Sequence, residues 1–147
     1  MEEYKIISSD NHLIEPLDLW TGRVEDKFRN NVPTIVTMED GDWWFCDDHK
    51  VVGVALGTQT GERFKGNDNL TRAGRFEDVR LGGYIPDEHV KDMDIEGVDL
   101  SVVYPTVGLL LYSIPDTELL TAICHAYNDY VADFCATYPK RIKGIGM

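Results

Sequence analysis

The sequence predicts an α/β fold in which strands alternate with helices, and two features of the second half of the chain carry this prediction. A helical pattern after Pro86 leads into the largely apolar run Leu100–Tyr104, which is typical of a parallel strand covered on both faces. A longer helical pattern then separates this run from residues 141–147, which read as the start of another strand. Strands separated by helices indicate βαβ units with right-handed crossovers.

The first half of the chain begins with a strand, predicted over residues 4–10, and continues with an insertion. Three short strands are predicted at Thr34–Met38, 43–46 and 51–55, and the acidic turns between them make this segment a β-meander. The stretch 57–83 is rich in Gly, Asn, Asp and Arg and has no sustained periodicity. It is therefore predicted to be a long loop, and loops of that length are usually functional or mobile.

Two helices in the second half have recognisable ends. The first follows Pro86 and ends at Gly97, where a helix C-cap favours a positive φ. The second begins after Asp116, a residue type that caps helix N-termini, and Pro139 ends it. Apolar residues at i, i+3, i+4 spacing make this second helix the strongest helix signal in the chain. These residues are Leu119, Ile123, Ala126, Tyr127, Tyr130 and Phe134.

The clearest chemical signal lies where the first strand ends. Asp10 and His12 are two residues apart, and side chains alternate between the faces of a strand, so both are predicted to point to one face while Asn11 points to the other. A carboxylate oxygen and an imidazole nitrogen can then converge on one cation, and this donor pair suits zinc, manganese or iron. The tripeptide alone leaves open that Asp10 caps a turn and that His12 is merely polar.

Several segments, spread over nearly the whole chain, match the motifs of one protein family in order. The first segment has Asp10 and His12 followed by Glu15 and Pro16. Five later segments follow at 82–86, 93–99, 103–109, 124–130 and 139–144. Together they resemble the amidohydrolase-related family, the branch of the amidohydrolase superfamily that includes aminocarboxymuconate-semialdehyde decarboxylase and the resorcylate decarboxylases. In that branch the usual His-x-His often appears as Asp-x-His or Glu-x-His followed by Glu-Pro.

The resemblance implies the N-terminal part of a (β/α)8 TIM barrel of the metal-dependent hydrolase type, with the meander and the long loop inserted after the first strand. Residues 1–16 would hold the first strand and the metal motif, 17–85 the insertion, and 86–147 the helix-strand-helix-strand start of the barrel. Such a barrel typically needs about 250 residues. We therefore expect these 147 residues to be an N-terminal fragment or a truncated product. The partner that completes the fold would be the remainder of a longer chain or further copies of this chain in a homo-oligomer.

The resemblance also implies a chemistry. One divalent metal, most commonly zinc, would bind Asp10 and His12 at the mouth of the barrel and activate a water or polarise a substrate oxygen. The expected activity is hydrolysis of a C–N or C–O bond in a small organic substrate. A non-oxidative decarboxylase, which is a lyase, is an alternative on the same scaffold, and a catalytically silent binding or assembly module is another. The family's other ligands, a later histidine and a late aspartate, have no counterpart here, and neither has its catalytic histidine.

Three further residues are candidates for a role near this site, and a fourth, His89, is not. Tyr104 and Thr106 follow the second barrel strand, and active-site residues come from the carboxyl ends of strands in this fold, so they are candidates for lining the substrate pocket. Glu15 could orient His12 or could simply stand at a helix start. His89 is expected to be a half-exposed surface histidine.

Composition limits the class of partner. The net charge of −12 disfavours nucleic acid and anionic membrane surfaces, because both would repel the chain. The longest apolar stretch is too short to span a bilayer, and no export signal is visible, so we expect a cytoplasmic protein. Cys46, Cys124 and Cys135 are not spaced as a disulfide or zinc framework. Cys46 and His49 form a C-x-x-H pair, but a second ligand pair is lacking nearby.

Overall fold

The computed structural model describes residues 5–60 and 73–147, which contain a parallel and an antiparallel sheet and three helices. The fold is therefore mixed α/β, as the sequence predicts. The strands are β1 (Ile7–His12), β2 (Thr34–Met38), β3 (Gly41–Cys46), β4 (His49–Gly53), β5 (Leu100–Tyr104) and β6 (Ile142–Gly144). The helices are α1 (Ala55–Thr58), α2 (Pro86–Glu96) and α3 (Thr117–Thr137).

The parallel sheet has β5 in its centre, with β1 on one side and β6 on the other. Helix α3 connects β5 to β6, which is the βαβ unit that parallel strands require. Ser101, Val103 and Ile142 are fully buried on the face that the helices cover. The alternate residues Leu100 and Val102 are only half-buried, so the other face of the sheet is more open.

The antiparallel sheet is the predicted meander, in which β3 pairs with both β2 and β4. The β3–β4 turn has positive φ at Asp47 (49°) and Asp48 (59°), the conformation that a two-residue type I′ hairpin needs. Trp44 is 2% exposed and meets the rings of Trp20 and Phe76 edge-on, at centroid distances of 5.6 and 6.4 Å. These edge-to-face contacts join the meander to the hydrophobic core that it shares with the rest of the described chain.

The two long helices have the predicted ends. The Asp116 side chain accepts hydrogen bonds from the backbone N–H groups of Glu118 and Leu119, at 2.9 and 3.0 Å, and so caps α3. Gly97 ends α2 with a left-handed φ of 70°. The six apolar residues predicted to form the buried stripe of α3 are all buried. Within the described parts of the chain, no helix is both long and apolar enough to cross a membrane.

Several boundaries differ from the sequence predictions. The first strand runs two residues further than residue 10, because the Leu13 N–H donates to the Tyr104 carbonyl at 2.9 Å and extends the β1–β5 ladder; residue 4 lies outside the described residues. Of the predicted loop at 57–83, residues 61–72 also lie outside them. Its described ends contain the last residues of α1 and two short 3₁₀ turns, at Phe76–Asp78 and Leu81–Gly83.

Candidate functional site

A β-bulge decides which face of β1 carries the candidate ligands. Ser8 lies opposite Ser101, but Asn11 lies opposite Val103, so β1 advances three residues where β5 advances two. Both β5 residues are fully buried towards the helices, so Asn11 points towards the helices as well. In a regular strand His12 would share the face of Ser8. The bulge instead sends it to the open face of the sheet.

Asp10 and His12 converge on that open face. Oδ1 of Asp10 lies 3.5 Å from Nε2 of His12. The other ring nitrogen, Nδ1, lies 2.8 Å from the carbonyl oxygen of Pro105. A carbonyl can only accept, so Nδ1 carries the proton, and in the neutral ring Nε2 keeps a free lone pair. Histidine ligands of metals usually have this arrangement, in which one nitrogen is fixed by a carbonyl and the other is free to coordinate.

The donor pair fits a divalent metal ion. Bonds of about 2.0–2.1 Å to a tetrahedral zinc ion place two ligand atoms about 3.3–3.4 Å apart. The observed 3.5 Å between Asp10 Oδ1 and His12 Nε2 is close to this separation, and the two side chains are 83% and 43% exposed. Among the described residues, no group of three His, Cys, Asp or Glu side chains is placed to hold a metal. The described chain thus offers two ligands, where stable sites have three or four.

The two residues predicted to line a substrate pocket, Tyr104 and Thr106, make different contacts near the Asp10–His12 pair. Tyr104 lies opposite His12 in the ladder, and the centroids of their rings are 6.0 Å apart. Thr106 lies on the wall of the cavity that contains Asp10 and His12, and its hydroxyl donates to the Leu13 carbonyl at 2.6 Å. The Tyr104 ring therefore packs beside the candidate ligand, while the Thr106 hydroxyl is engaged by the backbone.

Glu15 is a fully buried carboxylate just beyond β1. Its Oε1 accepts hydrogen bonds from the N–H groups of Thr106 and Gly108, both at 3.0 Å, and its Oε2 accepts one from Val107 at 3.1 Å. Burial raises the pKa of the Glu15 carboxyl above its usual range, and these donors oppose the rise. The bonds tie the segment after β1 to the segment after β5, and none of them is made to His12 directly.

His89 is half-buried, in line with the half-exposed position expected from the sequence, but both of its ring nitrogens are hydrogen-bonded. Its Nδ1 donates to the Gly82 carbonyl at 2.8 Å, and in the neutral ring its Nε2 accepts from the Ser101 hydroxyl at 3.1 Å. Asn11 Nδ2 donates to the same hydroxyl oxygen at 2.7 Å. This chain of hydrogen bonds holds Asn11 towards the helices and stabilises the register that places His12 on the open face.

A cavity of about 520 Å³ opens beside the Asp10–His12 pair, a size that suits a small organic molecule. Its described lining includes the carboxylates of Asp10, Asp92 and Glu96 and the guanidinium of Arg80. Arg80 Nε donates to Asp92 at 2.7 Å, and this hydrogen bond lowers the pKa of the Asp92 carboxyl. Asp92 therefore stays ionised, and the excess of carboxylates along the described wall favours cations.

The C-x-x-H pair, Cys46 and His49, lacks the deprotonated thiol that a metal site requires. Cys46 is buried, and its Sγ donates to the Asn31 carbonyl at 3.3 Å. Burial raises the pKa of the Cys46 thiol to about 12, so the thiolate that a metal requires is scarce at neutral pH. His49 is exposed, and its Nδ1 is bonded to the Asp47 carbonyl.

Arg80 and the α2 residues on the cavity wall are the part of the site that sequence reasoning missed. His89, Asp92, Met93 and Glu96 all line the cavity, and their spacing of i, i+3, i+4 and i+7 places them on one face of α2. The sequence signal that could have revealed this wall is a helix face that combines a histidine with two carboxylates. Arg80 stands in the predicted loop, where no periodicity could indicate its direction.

The fold is similar to that of a solved amidohydrolase. The crystal structure of an amidohydrolase from Mycobacterium avium subsp. paratuberculosis K-10 matches with a TM-score of 0.70 and 20% sequence identity. The match covers 99% of this chain and 42% of that one, so the chain spans less than half the length of the amidohydrolase. No protein-family model and no curated protein matches the chain. The likeness shows an amidohydrolase-like α/β scaffold, and its coverage fits part of a barrel.

Proposed function

We propose that the chain is the N-terminal part of a metal-dependent amidohydrolase-type enzyme, in which Asp10 and His12 supply two ligands to one divalent ion. Zinc is the first choice, and manganese and iron are the alternatives. The observation that carries the proposal is the placement of His12, with Nε2 3.5 Å from Asp10 Oδ1 and Nδ1 held 2.8 Å from the Pro105 carbonyl. The likeness in fold to a solved amidohydrolase supports it.

The proposed reaction is hydrolysis of a C–N or C–O bond in a small organic substrate. A divalent ion supplies Lewis acidity and lowers the pKa of water bound to it. With Nδ1 donating to the Pro105 carbonyl, the neutral form of the His12 ring offers its Nε2 lone pair to a metal ion, and Asp10 adds a carboxylate that favours a cation. Asp92 and Glu96 extend the negative potential along the cavity wall, where the substrate would lie.

The decarboxylase alternative requires a group that binds the carboxylate of a substrate. Arg80 is the guanidinium on the described wall, and Asp92 already holds it through two hydrogen bonds. This pairing leaves less positive charge for a carboxylated substrate, so we prefer the hydrolase. Product analysis on a chain that completes the site separates the two reactions: a hydrolase releases two fragments that have gained the elements of water, and a decarboxylase releases carbon dioxide.

The zinc site can be tested on the chain itself by titrating zinc into the wild type, Asp10→Ala, His12→Ala and His125→Ala. The last is the matched control, because His125 is an exposed histidine on α3. We expect weak binding in the wild type, the same dissociation constant in the control, and loss of measurable binding in the other two, since each loses a ligand. Equal binding by all four proteins would contradict the proposal.

We also propose that further strands extend the parallel sheet, from the rest of a longer chain or from a second copy. Within the described residues, β1 and β6 each pair along one edge. Nearby apolar side chains are exposed, namely Ile6 (50%), Ile7 (61%) and Ile145 (41%). Unpaired edges and exposed apolar surface favour association. Sedimentation of the chain should therefore show dimers or larger species, and a well-folded monomer at all concentrations would refute this.

A further inference from the structure

We infer that Glu15 is a positioning residue of the candidate metal centre: it orients the peptide group between Pro105 and Thr106, whose carbonyl selects the ring tautomer of His12. The role of this orientation in metal binding rests on the proposed metal site. The orientation itself is a property of the folded chain and can be measured without metal.

The two hydrogen bonds that connect Glu15 to His12 belong to one peptide group. The Thr106 N–H donates to Glu15 Oε1 at 3.0 Å, and the Pro105 carbonyl accepts from His12 Nδ1 at 2.8 Å. A peptide group is planar, and a trans one points its N–H and C=O in opposite directions. Fixing the N–H on Glu15 therefore fixes the direction of the carbonyl towards His12.

Additional bonds prevent this peptide group from rotating. Val107 and Gly108 donate their N–H groups to the same carboxylate, at 3.1 and 3.0 Å, so three consecutive donors converge on Glu15. The Thr106 hydroxyl donates to the Leu13 carbonyl at 2.6 Å on the other side. A negative charge at the N–H end also polarises the peptide group and strengthens its carbonyl as an acceptor. The carboxylate thus acts on His12 through the backbone, without touching it.

Asp42 provides a matched control elsewhere in the molecule. It is 8% exposed, and it accepts hydrogen bonds from the Phe76 N–H and the Thr37 hydroxyl, both at 2.9 Å, and from Arg75 at 3.0 Å. It is thus a nearly buried carboxylate that anchors a loop, but it does so from strand β3 of the meander, and the loop is the segment at Arg75 and Phe76. Loss of Asp42 should cost stability without reaching His12.

The test is the tautomer of the His12 ring, read from ¹⁵N NMR of metal-free protein in the wild type, Glu15→Gln and Asp42→Asn. The wild type should show Nδ1–H as the main neutral form. In Glu15→Gln the amide NH₂ must face at least one of the three N–H donors, so the segment moves and most of the Nδ1–H population is lost. Asp42→Asn should keep the wild-type signal. A folded Glu15→Gln with an unchanged His12 signal would overturn the inference.

A second variant and a second measurement complete the test. If Glu15→Gln does not fold, the same NMR measurement is made on Glu15→Asp, which keeps the charge but shortens the side chain by one methylene. Loss of the Nδ1–H population would again support the inference, and an unchanged His12 signal would overturn it. Zinc affinity should fall by about 10–100-fold in the Glu15 variant, as it does when residues that orient a metal ligand through hydrogen bonds are lost. A shifted tautomer in a chain that binds no zinc would refute only the proposed function. Zinc binding with an unmoved His12 signal would refute only the role of Glu15.

Discussion

The antiparallel meander and the parallel sheet each bury a carboxylate, and the two are stabilised differently. Asp42, in the meander, would have its pKa raised by burial, but hydrogen bonds from Phe76 and Thr37 and the charge of Arg75 lower it instead. Glu15, beside the parallel sheet, has backbone N–H donors, and burial raises its pKa. The meander thus pairs its charge with a cation, whereas the carboxylate near the candidate site is held by dipoles alone.

The two regions also differ in how their central strands are covered. The meander buries Trp44 of β3 between the rings of Trp20 and Phe76, while Val36 and Met38 on its edge strand β2 are exposed. The parallel sheet covers one face with helices and leaves Ile7 and Ile145 exposed on the other side. We therefore expect substitutions at Trp44 to act on stability. Changes in the two regions should therefore have separable effects.

The largest expected effect comes from Trp44→Ala, which removes a 2%-exposed ring from the hydrophobic core. We expect a loss of about 3–5 kcal/mol in the free energy of unfolding, because the cavity cannot collapse fully. Urea denaturation measures it. Trp43→Ala is the control: that ring lies on the other face of β3 under the Lys50 ammonium, 3.3 Å from the ring centroid, and its loss should cost only about 1 kcal/mol. Equal losses would contradict the close packing around Trp44.

Asp42→Asn should have an intermediate effect that depends on pH. The pKa of Asp42 is lowered from 3.8 in the folded protein, so its stabilising contribution is complete above that value and is lost as the pH falls through the folded pKa. We expect the variant to lose about 1–3 kcal/mol at neutral pH and to show a flatter acid limb than the wild type. Urea denaturation between pH 2 and pH 7 checks both features. Parallel pH profiles in the two proteins would show that Asp42 is not the titrating group.

The smallest effect is expected from Arg80→Gln on the cavity wall. The Arg80–Asp92 pair is partly exposed, with side chains 49% and 29% accessible, so its loss should cost about 0–1 kcal/mol. The pKa of Asp92 should rise towards its ordinary value, because the Arg80 hydrogen bond is the main cause that lowers it. Carbon-13 NMR titration of the Asp92 carboxyl measures this. A loss of several kcal/mol would mean that the pair holds the fold together.

Local patterns in the sequence predicted most of the fold. The stripe of α3, its cap at Asp116 and the end of α2 at Gly97 depend on residues within a few positions of one another, and all three are confirmed. The β3–β4 pairing was likewise indicated by its short acidic turn. Such features follow from helix periodicity and turn chemistry, which a single sequence displays directly.

The details of the candidate site could not be predicted in the same way. The spacing of Asp10 and His12 indicated a shared face, but the face itself depends on a bulge that arises from pairing with β5, some 90 residues away. The partners of Glu15 are backbone N–H groups at Thr106 and its two successors, and every residue except proline carries such a donor. Long-range register and backbone donors leave no mark in the local sequence.

The most direct test of the central claim is an anomalous diffraction map of a zinc-soaked crystal of this chain, recorded at the zinc absorption edge. We predict a peak about 2.0–2.2 Å from both Asp10 Oδ1 and His12 Nε2, with the Nδ1 nitrogen still bonded to the Pro105 carbonyl. The His12→Ala protein, soaked in the same way, should lack this peak. An empty map at the Asp10–His12 pair, or a peak at Cys46 and His49 instead, would contradict the assignment.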